Sequence, residues 1–484
     1  MKRTVSVLLV GLLMVMWLTA CESKNSFADS EESASENAGS VQESENGGAP
    51  EGNPPSEPPG DFPGGNPPDG MPGGQPGSGG ADIVYTAAVE ILSADSQDGQ
   101  IYESSEADQS ALLISTADDV FISNPTVNKS GDSDGGDNCN FYGLNAAVLV
   151  KDGSAATISG GAVMSDASGA NGVFCYGGNG GQNGASGDGT ALTIHDTVIT
   201  TTGDGSGGIM TTGGGVTNAQ NLTVITSGQS SAPIRTDRGG GIVTVDGGSY
   251  TSNGLGSPAV YSTADITVSN AALTSNLSEG VCIEGKNSIT LRDCELTADN
   301  TRCNGNATFL DSIMIYQSMS GDADSGTSVF TMTGGTLTSK NGHVFHVTNT
   351  NAVIALKGVK IINEDSENIL LSVCSDGWSG ADNIATVNAS GQTLHGAVLV
   401  GEDSTLTLNL SDGSSFTGCI DGNIANATGT AVSTNTGAVS VTLDSSSTWT
   451  LTADSYVTEF HGDASNIISD GHTLYVNGSA LSES

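Results

Sequence analysis

The densest cationic segment of this chain is Ile234–Gly241, in which Arg235 and Arg238 lie on either side of Asp237. It stands out because the whole chain has only 13 Lys and Arg against 54 Asp and Glu. Such a group can bind a carboxylated or neutral sugar, and an arginine can also act as a general base beside carboxylate-bound calcium. The third interpretation is a structural ion-pair ladder, in which the carboxylates only neutralise the arginines.

Two acidic, glycine-rich loops are candidate calcium sites. Gly131–Asn138 carries Asp132, Asp134 and Asp137, and Gly321–Gly326 repeats the pattern with fewer acids. Several hard carboxylate oxygens on a tight turn suit Ca²⁺, which is the one cofactor that the sequence suggests. Neither loop has the glutamate that an EF-hand places twelve positions after the start, and a solvated acidic loop is the alternative.

The cysteines do not form a recognisable metal motif. Seven of them follow Cys21 at irregular spacing without a CxxC pair, which argues against a zinc site. Cys294 and Cys303 are close enough in sequence to close a loop by a disulfide. The alternative is that the cysteines are buried as small apolar residues in a core.

Short apolar runs recur along the chain and must position these candidate residues. Val245, Val268 and Leu291 occupy equivalent places, each 23 residues after the one before, and a second apolar run lies between successive copies. A gap of 41 residues separates Leu291 from the next copy at Met332, which requires an insertion or a skipped repeat. Two or three short strands in each period predict an all-β fold, a parallel solenoid whose stacked coils bury a continuous core.

The repeat and the pattern Thr-Val/Ile-(Ser/Thr/Asp)-Gly-Gly, as in Thr244–Gly248, resemble those of right-handed parallel β-helix proteins of the pectin-lyase type. They are also similar to β-helical carbohydrate-binding surface proteins of anaerobic Gram-positive bacteria. The resemblance covers roughly residues 100–460 and implies a right-handed parallel β-helix. It also implies two activities, carbohydrate binding and a calcium-dependent lyase with Arg235 or Arg238 as base. The motifs of the hydrolases of this fold are absent from the sequence.

Aligning the coils by their apolar runs places Arg235 beside Tyr261 on the next coil, followed by Ile283, Ile315 and His346. Tyr261 would then stack on a sugar ring. The following coil adds Glu279 and two further members of the face. The predicted ligand-binding set is Arg235, Asp237, Arg238, Tyr261, Glu284 and Lys286.

The N-terminus resembles a bacterial lipoprotein signal. Lys2 and Arg3 precede the apolar run Val5–Trp17, and Leu18-Thr19-Ala20 leads directly into Cys21. This implies a signal peptide over residues 1–20 and lipidation of Cys21; a cleaved secretory signal is the alternative. Residues 21–80 are acidic and then Pro/Gly-rich, which predicts a disordered tether, and residues 81–484 form the predicted β-helix domain.

The net charge of −41 narrows the possible partners. Phosphate backbones and anionic lipid headgroups would be repelled, so nucleic acid is excluded and the membrane is contacted only through the lipid anchor. We predict a protein on the extracellular face of the membrane, in a Gram-positive envelope, that binds glycans or acts as an adhesin, with calcium assisting. A polysaccharide lyase and a passive surface stalk are the alternatives.

Overall fold

The computed structural model describes residues 83–180 and 186–481, so the predicted signal peptide, Cys21 and the whole predicted tether lie outside the described residues. In the described part, short strands follow one another around successive coils, and strands at the same place in each coil pair in parallel. The parallel β-helix predicted from the sequence is therefore confirmed.

The elements in chain order are β1 (Thr86–Ile91), β2 (Asp95–Asp98), β3 (Ile101–Ser104), β4 (Gln109–Ser115), β5 (Asp119–Ser123), β6 (Thr126–Lys129), α1 (Asp137–Tyr142), β7 (Val148–Lys151), β8 (Ala155–Ser159), β9 (Ala162–Ser165), β10 (Val173–Tyr176), β11 (Ala191–His195), β12 (Val198–Thr201), β13 (Ile209–Thr212), β14 (Gly215–Gln220), β15 (Thr223–Thr226), β16 (Ile234–Thr236), β17 (Gly241–Asp246), β18 (Ser249–Ser252), β19 (Val260–Ser262), β20 (Asp265–Ser269), β21 (Ala272–Ser275), β22 (Val281–Glu284) and β23 (Ser288–Arg292). The second half contains β24 (Glu295–Ala298), β25 (Asp311–Tyr316), β26 (Thr327–Thr333), β27 (Thr336–Ser339), β28 (His343–Thr348), β29 (Asn351–Lys357), β30 (Lys360–Asn363), β31 (Ile369–Val373), β32 (Asn383–Ser390), β33 (Thr393–His395), β34 (Ala397–Val400), β35 (Ser404–Ser411), β36 (Ser415–Gly418), β37 (Ile420–Asp421), β38 (Ile424–Ala425), β39 (Ala431–Ser433), β40 (Ala438–Leu443), β41 (Thr448–Leu451), β42 (Ser455–Val457), β43 (Glu459–His461), a 3₁₀ helix (Ala464–Asn466), β44 (Ile467–Ile468), β45 (Leu474–Val476) and β46 (Ser479–Ala480).

These strands stack into three long parallel sheets. Sheet A has 13 strands, β1 and every third strand up to β37, and sheet B has 14, from β2 to β43. Sheet C has 10 strands, from β3 to β30, and the four-stranded sheet D (β33, β36, β41 and β44) follows it in the later coils. At the C-terminal end, β46 pairs antiparallel with β45, so the last described pairing differs from the parallel stack.

Each coil contributes an apolar side chain to a column in the core. In sheet B, Val245 pairs with Val268, Val268 with Leu291, and Leu291 directly with Met332, and all four are buried. The predicted equivalence of these residues is confirmed. The 41-residue gap is an insertion, because β23 and β26 are neighbours in the sheet. Burial of such a column provides most of the driving force for stacking.

The turn from sheet B to sheet C requires backbone with positive φ in coil after coil. Asn270 has φ 54° and Asp293 has φ 50°, and the equivalent position in the coil before them is Gly247 with φ 74°. Gly, Asn and Asp are the residues that adopt this conformation at low cost, which explains why they recur at the corners.

The outer face of sheet A is covered by loops, whereas the outer faces of sheets B and C carry mostly polar side chains. Outer side chains of sheet A such as Phe174, Met210 and Met314 are fully buried. The cover consists of α1, the insert segment (residues 299–310), the Asp322 loop (residues 317–326) and the loop at 374–382. The predicted site lies on this covered face.

Candidate functional site

One outward-facing column of sheet A carries the candidate residues. Arg235 pairs with Tyr261, as predicted, but Tyr261 then pairs with Cys282, and Cys282 with Met314. The prediction that Ile283 and Ile315 continue this column is wrong by one residue; both point inward, into the core. His346 does continue the column, because it pairs with Met314.

Arg235 is engaged by its own strand and by the next coil. Its Nη2 lies 2.7 Å from Asp237 Oδ2, and its Nη1 donates to the carbonyl oxygen of Ser230 at 2.8 Å. The guanidinium lies 5.7 Å from the centre of the Tyr261 ring. Burial raises the pKa of Asp237 to about 7; Arg235 opposes this rise, and nearby carboxylates add to it.

Arg238 joins the two acidic loops that the sequence suggested for calcium. Its Nη2 lies 2.5 Å from Asp322 Oδ1, and its guanidinium lies 4.3 Å from the centre of the Phe141 ring on α1. Asp137, the first residue of α1, is close enough to interact electrostatically with both Arg238 and Asp322. Desolvation and Asp322 raise the pKa of Asp137, and Arg238 opposes them.

Glu284 is a buried carboxylate surrounded by hydroxyl groups. The Tyr261 hydroxyl donates to its Oε2 at 2.5 Å and the Tyr316 hydroxyl at 3.2 Å, while Ser318 of the Asp322 loop donates to Oε1. Burial raises the pKa of Glu284, and these hydrogen bonds oppose the rise. Glu284 thus takes up the Tyr261 hydroxyl, which is not free for a ligand.

Lys286 lies at the border of an open groove. Its Nζ is 2.7 Å from Asp324 Oδ2, and 43% of its side chain remains exposed. The groove has a volume of about 460 Å³ and runs along the corner between sheets A and B. Its lining combines polar side chains with backbone at glycines: Thr263, Asp265, Lys286, Asn287, Gly240 and Gly241.

The six predicted ligand-binding residues therefore form one continuous network. Arg235 links Asp237 to Tyr261, Tyr261 links to Glu284, and Glu284 is bonded to the Asp322 loop. The same loop returns to Arg238 through Asp322 and to Lys286 through Asp324. Both arginines are paired with carboxylates, so neither is an unpaired base of the kind a lyase needs.

The Gly131–Asn138 loop holds a cation that the chain itself provides. Lys129 is 2% exposed, and its Nζ donates to the carbonyl oxygens of Glu106, Ser130 and Gly131 at 2.5–3.0 Å. Burial lowers the pKa of Lys129, while surrounding carboxylates, Asp132 among them, oppose the change. Sequence reasoning missed Lys129 because nothing in a single lysine at a strand end signals burial.

The three predicted metal ligands do not come together. Asp132 Oδ1 accepts from the backbone N–H of Ser168 at 2.8 Å, Asp134 is exposed, and Asp137 faces Arg238. Across residues 83–180 and 186–481, no three His, Cys, Asp or Glu side chains form a group that could hold a metal ion. The cysteines in this part of the chain are all free, so the Cys294–Cys303 disulfide is not formed.

A second polar set under the cover links loops to sheet A. The Nδ1 atoms of His343 and His346 lie 2.6 and 2.7 Å from Ser372 Oγ, and His346 Nε2 lies 3.4 Å from Asp376 Oδ2. Burial lowers the pKa of His343 to about 3. The rings of Phe309 and His346 stack with their centres 4.6 Å apart. Ser372 is fully buried, so its hydroxyl is not accessible to a substrate.

The fold places the chain in the class of parallel β-helix proteins. No protein-family model, no curated protein and no solved structure gave a match to the sequence or the structure. Among the described helices, none is both long and apolar enough to cross a membrane.

Proposed function

We propose that this chain is a cell-surface lipoprotein whose β-helix binds extracellular carbohydrate in the groove beside Lys286. The observation that carries the proposal is the groove of about 460 Å³, whose lining includes Asp265, Asn287 and Lys286, the one predicted ligand-binding residue that reaches it. Through Asp324, Lys286 is joined to the loop that also holds Arg238 and Glu284. Sugars present many hydroxyl groups, and a lining that both donates and accepts hydrogen bonds is suited to them.

The charge pairing favours binding over lyase chemistry. Arg235 is held by Asp237 and Ser230, and Arg238 by Asp322, so each would have to lose a partner before it could take a proton. Lys286 is the most exposed cation of the network and is therefore the side chain best placed to meet a ligand.

The lipid anchor is proposed from the signal-like N-terminus alone. Attachment of acyl chains at Cys21 would keep the β-helix at the outer face of the membrane, with residues 22–80 as a spacer. Cys21→Ser is expected to move the protein from the detergent phase to the aqueous phase in a phase-partition assay. Retention in the detergent phase would contradict lipidation.

A glycan array tests the binding proposal directly. The full chain is applied with and without Ca²⁺, and every glycan that binds is then incubated with the protein while the absorbance of unsaturated uronides is followed. The matched variants are Lys286→Ala, at the groove, and Lys360→Ala, an exposed lysine on the outer face of sheet C. We expect binding without new absorbance, lost in Lys286→Ala and retained in Lys360→Ala.

Two other results would replace the proposal. A rise in absorbance that disappears in Arg235→Ala or Arg238→Ala would identify a lyase. Failure of the folded protein to bind any glycan on the array would leave the passive stalk.

A further inference from the structure

Two carboxylates are buried together beneath the insert segment. Glu279 precedes β22 and is 2% exposed, and Asp311 begins β25, the next strand of sheet A, and is 1% exposed. Burial raises the pKa of both carboxyl groups, and Glu279 raises the pKa of Asp311 further. Both carboxyl groups thus share one low-dielectric space, where two like charges oppose each other's ionisation.

Two oxygen atoms in this space have no hydrogen-bond partner. Asn300, on the insert segment, is fully buried; its Nδ2 donates to the Asp311 carbonyl oxygen at 3.1 Å, and its side chain also contacts Glu279. Asn300 Oδ1 and Asp311 Oδ1 are both buried without any hydrogen-bond partner. Glu279 differs, because its Oε2 accepts a hydrogen bond from the Ser278 hydroxyl. A buried acceptor left without a donor is costly, so the two unpartnered oxygens, from Asn300 and Asp311, need a positive charge or a proton.

In residues 83–180 and 186–481, no basic side chain forms an ion pair with either carboxylate. The charged groups that act on Asp311 are Glu279 and Asp376, and both raise its pKa further. The causes that act on Glu279 are burial and hydrogen bonds, without a lysine or arginine among them. The nearby thiol of Cys282 has its pKa raised well above the usual range, so it stays protonated and is a poor ligand for soft metals.

We propose that Glu279, Asp311 and Asn300 bind a calcium ion that attaches the insert segment to sheet A. All three supply oxygen, the ligand type that Ca²⁺ selects, and two carboxylates balance its charge. This group has only two acidic side chains, and its third ligand is an amide. It therefore differs from the groups of three His, Cys, Asp or Glu side chains considered above. This site is separate from the Gly131–Asn138 loop and does not depend on carbohydrate binding.

Thermal unfolding of the full chain tests the site. We expect 1 mM Ca²⁺ to raise the Tm of the chelator-treated protein, with an apparent Kd near the roughly 10⁻⁴ M of extracellular calcium modules. Asp311→Asn and Glu279→Gln keep the side-chain shapes and remove one charged ligand each, so each should weaken the affinity at least about ten-fold. The control is Asp132→Asn, in the loop that holds Lys129, which should keep the full Ca²⁺ effect.

Terbium luminescence gives a second readout that does not depend on stability. Trp378 packs in the same cluster as Cys282, close to Glu279, and should sensitise bound Tb³⁺. We expect a signal that Ca²⁺ displaces, that falls in Trp378→Phe and that is lost in Asp311→Asn. A Tm insensitive to Ca²⁺, or a calcium effect that survives Asp311→Asn and Glu279→Gln, would falsify the proposal.

Discussion

Two acidic regions of this molecule differ in what balances their negative charge. The carboxylates of Asp108, Asp132 and Asp166 act on the ammonium group of Lys129, which the chain buries among three backbone carbonyls. Beneath the insert segment, Glu279 and Asp311 lie in adjacent coils, and no described basic side chain forms an ion pair with either. The first region is complete as a folded chain, while the second is complete only with protons or an external cation.

The comparison shows that acidic composition alone does not locate a cation site. The loop with the most aspartates in sequence lies beside Lys129, a buried cation that donates to the carbonyl oxygen of Gly131. The pair that lacks a cation is Glu279 and Asp311. These residues are 32 positions apart in sequence and meet only because β22 and β25 are neighbours in sheet A. The following changes test this contrast.

Replacing Lys129 should have the largest effect. Lys129→Met leaves three backbone carbonyl groups without this donor and several carboxylates without a positive charge, so we expect the free energy of unfolding to fall by about 3 kcal/mol. Denaturant unfolding of the full chain measures the change, with the exposed Lys360→Met as control. Equal stability of the two variants would show that Lys129 is not the internal cation.

The pH dependence of stability should expose the second region. The pKa values of Glu279 and Asp311 are raised in the folded state, so the folded protein binds these protons more tightly than the unfolded chain. In chelator, stability should therefore fall as the pH rises above about 4, by up to about 1.4 kcal/mol per pH unit for each group. Asp237, with a folded pKa of about 7, adds to the fall up to neutral pH.

Asp311→Asn should flatten this profile, because the amide does not titrate. Unfolding measured at pH 5 and pH 8 in the variant and the wild type is sufficient. A profile that stays equally steep in the variant would assign the pH dependence to other groups.

Removal of one buried partner from the Arg235–Asp237 pair should have an intermediate effect. Arg235→Gln leaves Asp237, whose side chain is 5% exposed, without its cation, and we expect a loss of about 2 kcal/mol at pH 8. The loss should shrink at pH 5, where Asp237 can take up a proton. A loss independent of pH would point to packing on Tyr261 instead of charge.

The more exposed Arg238–Asp322 pair should matter least. Both side chains retain exposure, 32% and 21%, so Asp322→Asn is expected to change the unfolding free energy by no more than about 1 kcal/mol. Added salt should reduce even that difference. A larger cost would mean that the Asp322 loop holds the cover in place.

The sequence predicted the fold well and the site in part. The 23-residue spacing of Val245, Val268 and Leu291 corresponds to directly paired positions in sheet B, because its outer face is polar and marks the inward direction. In sheet A the alignment failed by one residue at Ile283. Loops bury the outer column there as well, so inward and outward residues are both apolar and the alternation carries no directional signal.

Other features of the site have no local signal in the sequence. Asn300 and Asp311 border the insertion, and their contact with Glu279 depends on how that insertion folds back over the stack. The pairing of Arg238 with Asp322, 84 residues away, likewise requires the loop geometry. The prediction did bring together Arg235, Tyr261 and Glu284, because one coil period separates each from the next.

The contacts across the cover also have a mechanical meaning. Backbone hydrogen bonds between coils run along the axis of the stack, so a pull on its two ends would peel coils away one at a time. Arg238 to Asp322 and Thr308 to Asp376 instead join coils that are not neighbours in the stack. These contacts share a tensile load among several coils. The loop-covered outer face of sheet A therefore resists stretching more than the uncovered faces do.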